Sequence, residues 1–216
     1  TDSTASARQQ AQEGNYWDSF LNLDFNYDKR NQTFQPSSGF KSFYSVNIPM
    51  VSDTNTFVNS YNYTHYSELY EENITSASVY IKTANSISGD NIKLSERLFI
   101  PSKRLRGFER GKIGPKDGDD FVGGNFVTSA NVSSNLPYLL NNLQQVDFIM
   151  FLDVANVWGV DYDSSIDDSG SFRSAIGLGV DWATPIGPLN FTFAQPITKE
   201  SSDITETFRF NLGTTF

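Results

Sequence analysis

The sequence predicts an all-β protein whose antiparallel strands, in meander order, form part of a transmembrane β-barrel, with about nine strands present. Three observations support this. From Tyr16 onward, apolar and polar residues alternate through nearly every run. Those runs are about 10–13 residues long, more than a sandwich strand needs and enough for a tilted bilayer crossing. Long and short breaks between runs also alternate, as when extended loops lie on one side of a membrane and tight turns on the other.

Taken in order, residues 1–15, TDSTASARQQAQEGN, are small and polar without periodicity and read as a loop remnant. The first strand is expected in YWDSFLNLDFNYDKR, closed by NQTFQPSSG. The second lies in GFKSFYSVNIPM, closed by VSDTN. TFVNSYNYTHYSELY and ITSASVYIKTANSIS, split by EEN, read as the third and fourth, although Ser, Asn and Thr fall on both of their faces. An irregular segment, 89–120, follows, and after it come FVGGNFVTSANVSS, VDFIMFLDVANVW, FRSAIGLGVDWATP, PLNFTFAQPIT and TETFRFNLGTTF. The second long break is the acidic GVDYDSSIDDSG, residues 159–170.

Alternation assigns the faces. Phe208, Phe210, Leu212 and Phe216 share one side of the last strand, opposite Arg209, Asn211, Gly213 and Thr215. Ile176, Leu178, Val180 and Trp182 oppose Ala175, Gly177, Gly179 and Asp181. Phe148, Met150, Leu152, Val154 and Trp158 oppose Asp147, Phe151, Asp153 and Ala155. A soluble β-sandwich would alternate in the same way, so this pattern alone leaves both architectures open. Strand length favours the barrel. So do the aromatics near strand ends (Tyr66, Tyr70, Trp158, Trp182, Phe216), where a headgroup-level belt would sit.

Composition agrees. Aromatic residues make up 14%, with 18 Phe and 10 Tyr. A mean hydropathy of −0.39 suits a soluble protein and a membrane barrel equally, because a barrel averages its lipid and lumen faces. A net charge of −9 argues against a nucleic-acid partner. With no cysteine, disulfides, thiol catalysis and zinc–thiolate sites are excluded. The chain does not open on Met and shows no charged-then-apolar leader, so its first residue is expected to be a cut end and Phe216 a native one.

The segment KRLRGFERGKIGP, residues 103–115, places Lys103, Arg104, Arg106, Arg110 and Lys112 close together in an acidic protein. Read by composition alone it is a solvated basic loop. Together with GGN at 123–125, FLDVANVW, GLGVDWATPIGPLNFTFAQP and the terminal FRFNLGTTF, it resembles the C-terminal barrel half of the Omp85 superfamily, most closely the barrel-assembly factors within it. DKRNQTFQPSSGF resembles a periplasmic turn of the same barrel. The resemblance spans residues 16–216.

What the resemblance implies is specific. The family barrel has sixteen strands preceded by periplasmic POTRA domains, and this chain would supply the last nine or so. Segment 89–120 would fold back into the lumen. Arg106, within the motif Arg106-Gly107-Phe108, would meet Asp153 on the polar face of its strand. The family's second acid falls at Ser133, which cannot carry a charge. Gly107, Gly111 and Gly114 would allow the re-entrant turns. Phe208, Phe210, Leu212, Gly213 and Phe216 would form a closing strand of β-signal type. The implied function is folding and inserting other β-barrels at a weak seam, in the cell outer membrane, without enzymatic chemistry and with no cofactor. A strand mismatch that thins the bilayer is part of that expectation. Implied partners are outer-membrane lipids, unfolded β-barrel clients and, through periplasmic domains absent from this chain, assembly lipoproteins. A partial barrel with open edges is also expected to self-associate. The alternatives are an Omp85-type translocator or passive channel, and a soluble sandwich that binds ligands.

Other chemistry reads weakly. His65 has no evident nucleophile or orienting acid and reads as a strand side chain. Glu68, Glu71 and Glu72 sit at a turn and read as solvated rather than as paired catalytic carboxylates. Residues 161–170 have oxygen-rich spacing without an EF-hand register and read as a solvated acidic loop rather than a calcium site. The glycines at 177 and 179 lack a following helix to hold phosphate and read as space-making residues of an inner face.

Overall fold

The structure, a computed structural model, describes residues 7–33, 35–137, 146–184 and 187–212. Among these residues there are eleven strands: β1 (Asp18–Asp28), β2 (Gly39–Ser52), β3 (Thr56–Tyr70), β4 (Asn73–Ser86), β5 (Lys116–Asp117), β6 (Asp120–Phe121), β7 (Phe126–Asn135), β8 (Val146–Trp158), β9 (Arg173–Thr184), β10 (Gly187–Thr198) and β11 (Phe208–Leu212). Nine form one antiparallel meander in the order β1-β2-β3-β4-β7-β8-β9-β10-β11, with β1 and β11 at its two edges. The sheet is a partial barrel, and among the described residues β1 and β11 do not pair to close it. β5 and β6 make a small separate hairpin inside the long connection 87–125; it reaches from the segment 89–120 read as irregular to Phe121, where the sequence reading opened a strand that begins at Phe126 instead. Residues Ala7–Ala11, read as loop, form one short helix, α1.

The connections sort by end. In the antiparallel meander β2–β3, β4–β7, β8–β9 and β10–β11 follow one another at one end of the sheet, and β1–β2, β3–β4, β7–β8 and β9–β10 at the other. The polar β3 and β4 pair without interruption from Thr56↔Ser86 to Glu68↔Ile74 and meet at a two-residue turn, with Glu72 at positive φ. The third and fourth strands are thus present despite Ser, Asn and Thr on both faces, and these side chains bond across the pair, as from Asn59 Nδ2 to Thr83 Oγ1 at 2.9 Å.

Register puts the apolar residues of neighbouring strands into rows on the convex face. Met150, Leu178, Phe193 and Phe208 align across β8–β11, and Phe148, Val180, Phe191 and Phe210 form the next row. The rings of Phe193 and Phe208 lie 4.9 Å apart and those of Phe191 and Phe210 5.1 Å apart. Leu178 is 52% exposed, and Phe25, Ile81, Leu152 and Trp182 are exposed with it. This rules out the sandwich reading. The greasy side of the sheet faces outward, and among the described residues the other sheet is the two-stranded β5–β6 hairpin. An outward apolar face on strands of 10–15 residues suits hydrocarbon.

The concave face is covered by the connection 87–125. Ile92, Leu98, Ile100, Leu105, Phe108 and Ile113 from that segment pack on Ala84, Val127, Ala155, Val157 and Ala175 from β4, β7, β8 and β9. Small inward residues give the segment its room. A Cβ on Gly114 (φ +97°) would stand 2.5 Å from Val157 Cγ1.

Candidate functional site: the lumen loop and its anchors

The basic segment lies in the concavity, where Arg104 and Arg106 bind strand residues while Lys103, Arg110 and Lys112 are exposed. Arg106 is held by Asp153 of β8. Its main-chain N donates to Asp153 Oδ2 at 3.0 Å, Nε donates to the same oxygen at 2.7 Å, and Nη2 donates to Oδ1 at 2.7 Å. Asn131 Nδ2 of β7 donates to Oδ1 at 2.9 Å. Asp153 is fully buried, so four donors take the place of its hydration. Arg106 Nη2 also donates to Ser133 Oγ at 3.2 Å. Ser133 therefore sits in the partner shell but contributes a neutral acceptor.

The guanidinium carbon of Arg106 lies 3.4 Å from the centroid of the Phe151 ring, a cation–π contact. That ring depends on Gly177, which faces it in register, because a Cβ at 177 would fall 2.4 Å from Phe151 Cζ. The inward glycine on β9 thus makes room for one particular ring, which positions one particular arginine. Sequence reading missed the link because Phe151 looked like an apolar residue stranded on the polar face.

Gly107 (φ +89°) follows immediately. Its absent Cβ would stand 3.1 and 3.2 Å from the Cβ atoms of Ala194 and Ala175, so the loop backbone lies directly on β9 and β10. Phe108 is 2% exposed and belongs to the inner core. Arg104 reaches the other way, with Nη2 donating to Asn62 Oδ1 of β3 at 2.6 Å and Nη1 to Ser78 Oγ of β4 at 3.2 Å, over the Tyr80 ring. Burial pushes the Arg104 guanidinium below its ordinary pKa.

Two further buried arginines hold the loop end. Arg97 bonds Asp161, Asn125 Oδ1 and the Ile92 carbonyl. Arg173, fully buried, is forked by Asp203 (2.9 and 3.1 Å) and also reaches Asp168 at 2.6 Å. This corrects the reading of residues 161–170 as a solvated acidic loop. Asp161 and Asp168 are ion-pair partners, and Asp167 Oδ1 accepts the Gly159 N–H. Burial would raise the Asp161 pKa, but the Ile92 N–H, the Arg97 guanidinium and Asn125 outweigh it and hold it below the usual carboxylate value.

Below the loop lies a cavity of about 590 Å³, lined in part by Arg106, Arg110, Asp181, Asn190, Thr192 and Arg209. Of the closing-strand residues, Phe208, Phe210 and Leu212 lie on β11, paired with Phe193, Phe191 and Leu189 of β10 and exposed on the convex face. Gly213 and Phe216 lie outside the described residues. The neighbour that sequence reading passed over is Arg209. It stands on the inner side of β11 and bonds the lumen loop, with Nη2 donating to the Phe108 carbonyl at 2.8 Å and Nη1 to the Ser102 carbonyl at 3.2 Å.

Comparison with known proteins decides the family, because the Omp85 superfamily domain matches residues 1–216. The chain belongs to the Omp85 superfamily. Among curated Omp85 relatives, the outer membrane protein assembly factor BamA of Neisseria meningitidis serogroup B is 33% identical over 141 residues, covering 52% of this chain and 17% of that protein. BamA of Neorickettsia risticii is 30% identical over 132 residues, covering 60% and 18%. A SAM50-like protein of Schizosaccharomyces pombe is 32% identical over 141 residues, covering 60% and 28%. The crystal structure of BamA from Haemophilus ducreyi lacking POTRA domains 1–3 superposes with a TM-score of 0.79 at 26% identity, over 88% of this chain and 41% of that one. The chain thus spans less than a third of the length of these curated relatives. It is an Omp85 barrel wall, and its place is the outer membrane.

Proposed function

We propose that this chain is the C-terminal wall of an outer-membrane assembly factor that folds and inserts other β-barrel proteins without covalent chemistry. The observation that carries the reading is the lumen loop bonded by Arg106 to Asp153, within a sheet similar to the BamA barrel and ending at β11. The proposed work is done at a strand edge. A client segment with one apolar face adds to an exposed edge by main-chain hydrogen bonds, so the edge itself supplies a template. The convex rows of β8–β11 would hold that edge in lipid, and the seated loop would keep the lumen side in shape. Partners under this reading are outer-membrane lipids, unfolded β-barrel clients and, beyond this chain, assembly lipoproteins.

The test is reconstitution of the full-length protein in vesicles with an unfolded β-barrel client, scored by the client's heat-modifiable gel mobility. The expected result is that the parent accelerates client folding and that Arg106→Ala lowers the rate at least tenfold. A parent that conducts ions but leaves client folding at the lipid-only rate would favour the channel and overturn the proposal.

A further inference from the structure

β11 is not held by β10 alone. Its ladder with β10 runs from Leu189↔Leu212 to Phe193↔Phe208, and one more bond, Ala194 N to the Thr207 carbonyl at 2.9 Å, closes it. The next β10 donor facing that side would come from position 196, which is proline and has no N–H. There the chain preceding β11 leaves β10 and pairs with the lumen loop instead. Phe108 and Thr205 form an antiparallel bridge. Glu109 N donates to the Ile204 carbonyl at 2.9 Å, Ile204 N to the Lys112 carbonyl at 2.9 Å, and Glu206 N to the Gly107 carbonyl at 3.0 Å. Three residues further along, Arg209 reaches back to the carbonyls of Phe108 and Ser102 while pairing with Glu206.

The residues that contact β11 through this route, Gly107 and Phe108, directly follow the Arg106 that is fixed to Asp153. We propose that the lumen loop and the closing strand move as one unit: the seating of Arg106 on β8 sets how firmly β11 stays docked on β10, and Arg209 is the side chain that carries the link. The fork of Arg209 suits this role because it bonds two loop carbonyls and one carboxylate at once, which a lysine ammonium at the same place cannot match. A loop drawn off Asp153 would take the Phe108 carbonyl with it and leave Arg209 without that tie to the loop. The edge at which a client strand would add would then loosen. The inference rests on the proposed function only in giving that loosening a use; the coupling itself is a property of the resting barrel.

The test is amide hydrogen exchange on the full-length protein in detergent, without client, for the parent, Arg106→Ala, Arg209→Gln and the double variant, with β7–β9 amides as the internal control for folding. Each single change is expected to speed exchange at 208–212 about tenfold, and the double variant to exchange no faster than either alone. Arg209→Lys should fall between parent and Arg209→Gln. If Arg106→Ala does not fold, Asn131→Ala, which removes one donor from Asp153, takes its place. Unchanged exchange at 208–212 in either single variant, or independent effects that multiply in the double variant, would overturn the link. A parent that exchanges as expected but inserts no client would overturn the proposed function and leave the link standing.

Discussion

Two aspartates point to the same concave side of the sheet, and they behave as opposites. Asp153, on β8, is fully buried and takes four hydrogen bonds, three of them from Arg106. Asp24, on β1, is exposed, and its acceptor bond is from Ser45 Oγ at 2.6 Å. What separates them is the cover. Over β7–β10 many inner positions are small or apolar (Ala155, Val157, Ala175, Gly177, Ala194), and a folded loop lies on them. Over β1 and β2 they include Asn22, Asp24, Asn26 and Ser45, of which the first three are exposed and Ser45 Oγ bonds Asn22 and Asp24. The same alternating code therefore produces two kinds of inner face. A buried carboxylate there requires a cation, and an open one does not.

The widest break between the two regions should come from Asp153→Ala. It strands a guanidinium that keeps only Ser133 and the Phe151 ring as partners. Removing one member of a buried pair costs about 3–5 kcal/mol, and because Arg106 keeps one-fifth of its side-chain surface exposed, about 3 kcal/mol is expected here. Urea unfolding in detergent, together with proteolysis of segment 99–112, would read it. An unshifted midpoint with a protected loop would show that the apolar cluster alone seats the loop.

Gly114→Val tests cover without charge. The new side chain would occupy the place of Val157 Cγ1 at a backbone angle that valine does not tolerate. A loss of about 2 kcal/mol is expected by the same unfolding measurement. A neutral result would mean that the loop can shift off β8 without penalty.

Acid should act on the loop end before the strands. The folded pKa of Asp161 is depressed, so its stabilising contribution is present above the ordinary aspartate value and is lost as pH falls below it, from about pH 4 downward. Exchange at 92–98 and 159–162 should rise in that range, and Asp161→Asn should remove most of the pH dependence while weakening the Arg97 tie at neutral pH. Equal acid sensitivity in Asp161→Asn would assign the effect to another group.

Much of this was legible in the residues. Alternation in FRSAIGLGVDW and VDFIMFLDVANVW fixed which side chains share a face, because a period of two leaves no other choice in a strand; that the apolar face meets lipid rather than a second sheet rested on strand length and resemblance. Arg106 and Asp153 could be paired through family resemblance, since spacing across 47 positions carries no geometric signal of its own. Arg97, Arg173 and Arg209 were not legible. Each looks like a surface cation in sequence, and only the fold brings Asp161, Asp203 or the Phe108 carbonyl within reach. The inward Phe151 could have been suspected, because an aromatic facing a glycine across strands is a recurring packing device.

The smallest expected effect belongs to the open region, and it sharpens the contrast most economically. Ser45→Ala removes the hydroxyl that donates to Asp24 and leaves both neighbours in contact with water. An exposed hydrogen bond of this kind is exchanged for one to solvent, so the change should stay within about 0.5 kcal/mol. Under the loop, Asn131→Ala deletes a bond of similar length to Asp153 and one to the Arg104 carbonyl at 2.7 Å, with no solvent to replace them, so about 1–3 kcal/mol is expected. The informative quantity is the difference between the two variants in one unfolding series. If Ser45→Ala cost as much as Asn131→Ala, the inner face of β1 and β2 would have to be covered as well, and the division into a roofed and an open lumen wall would be wrong.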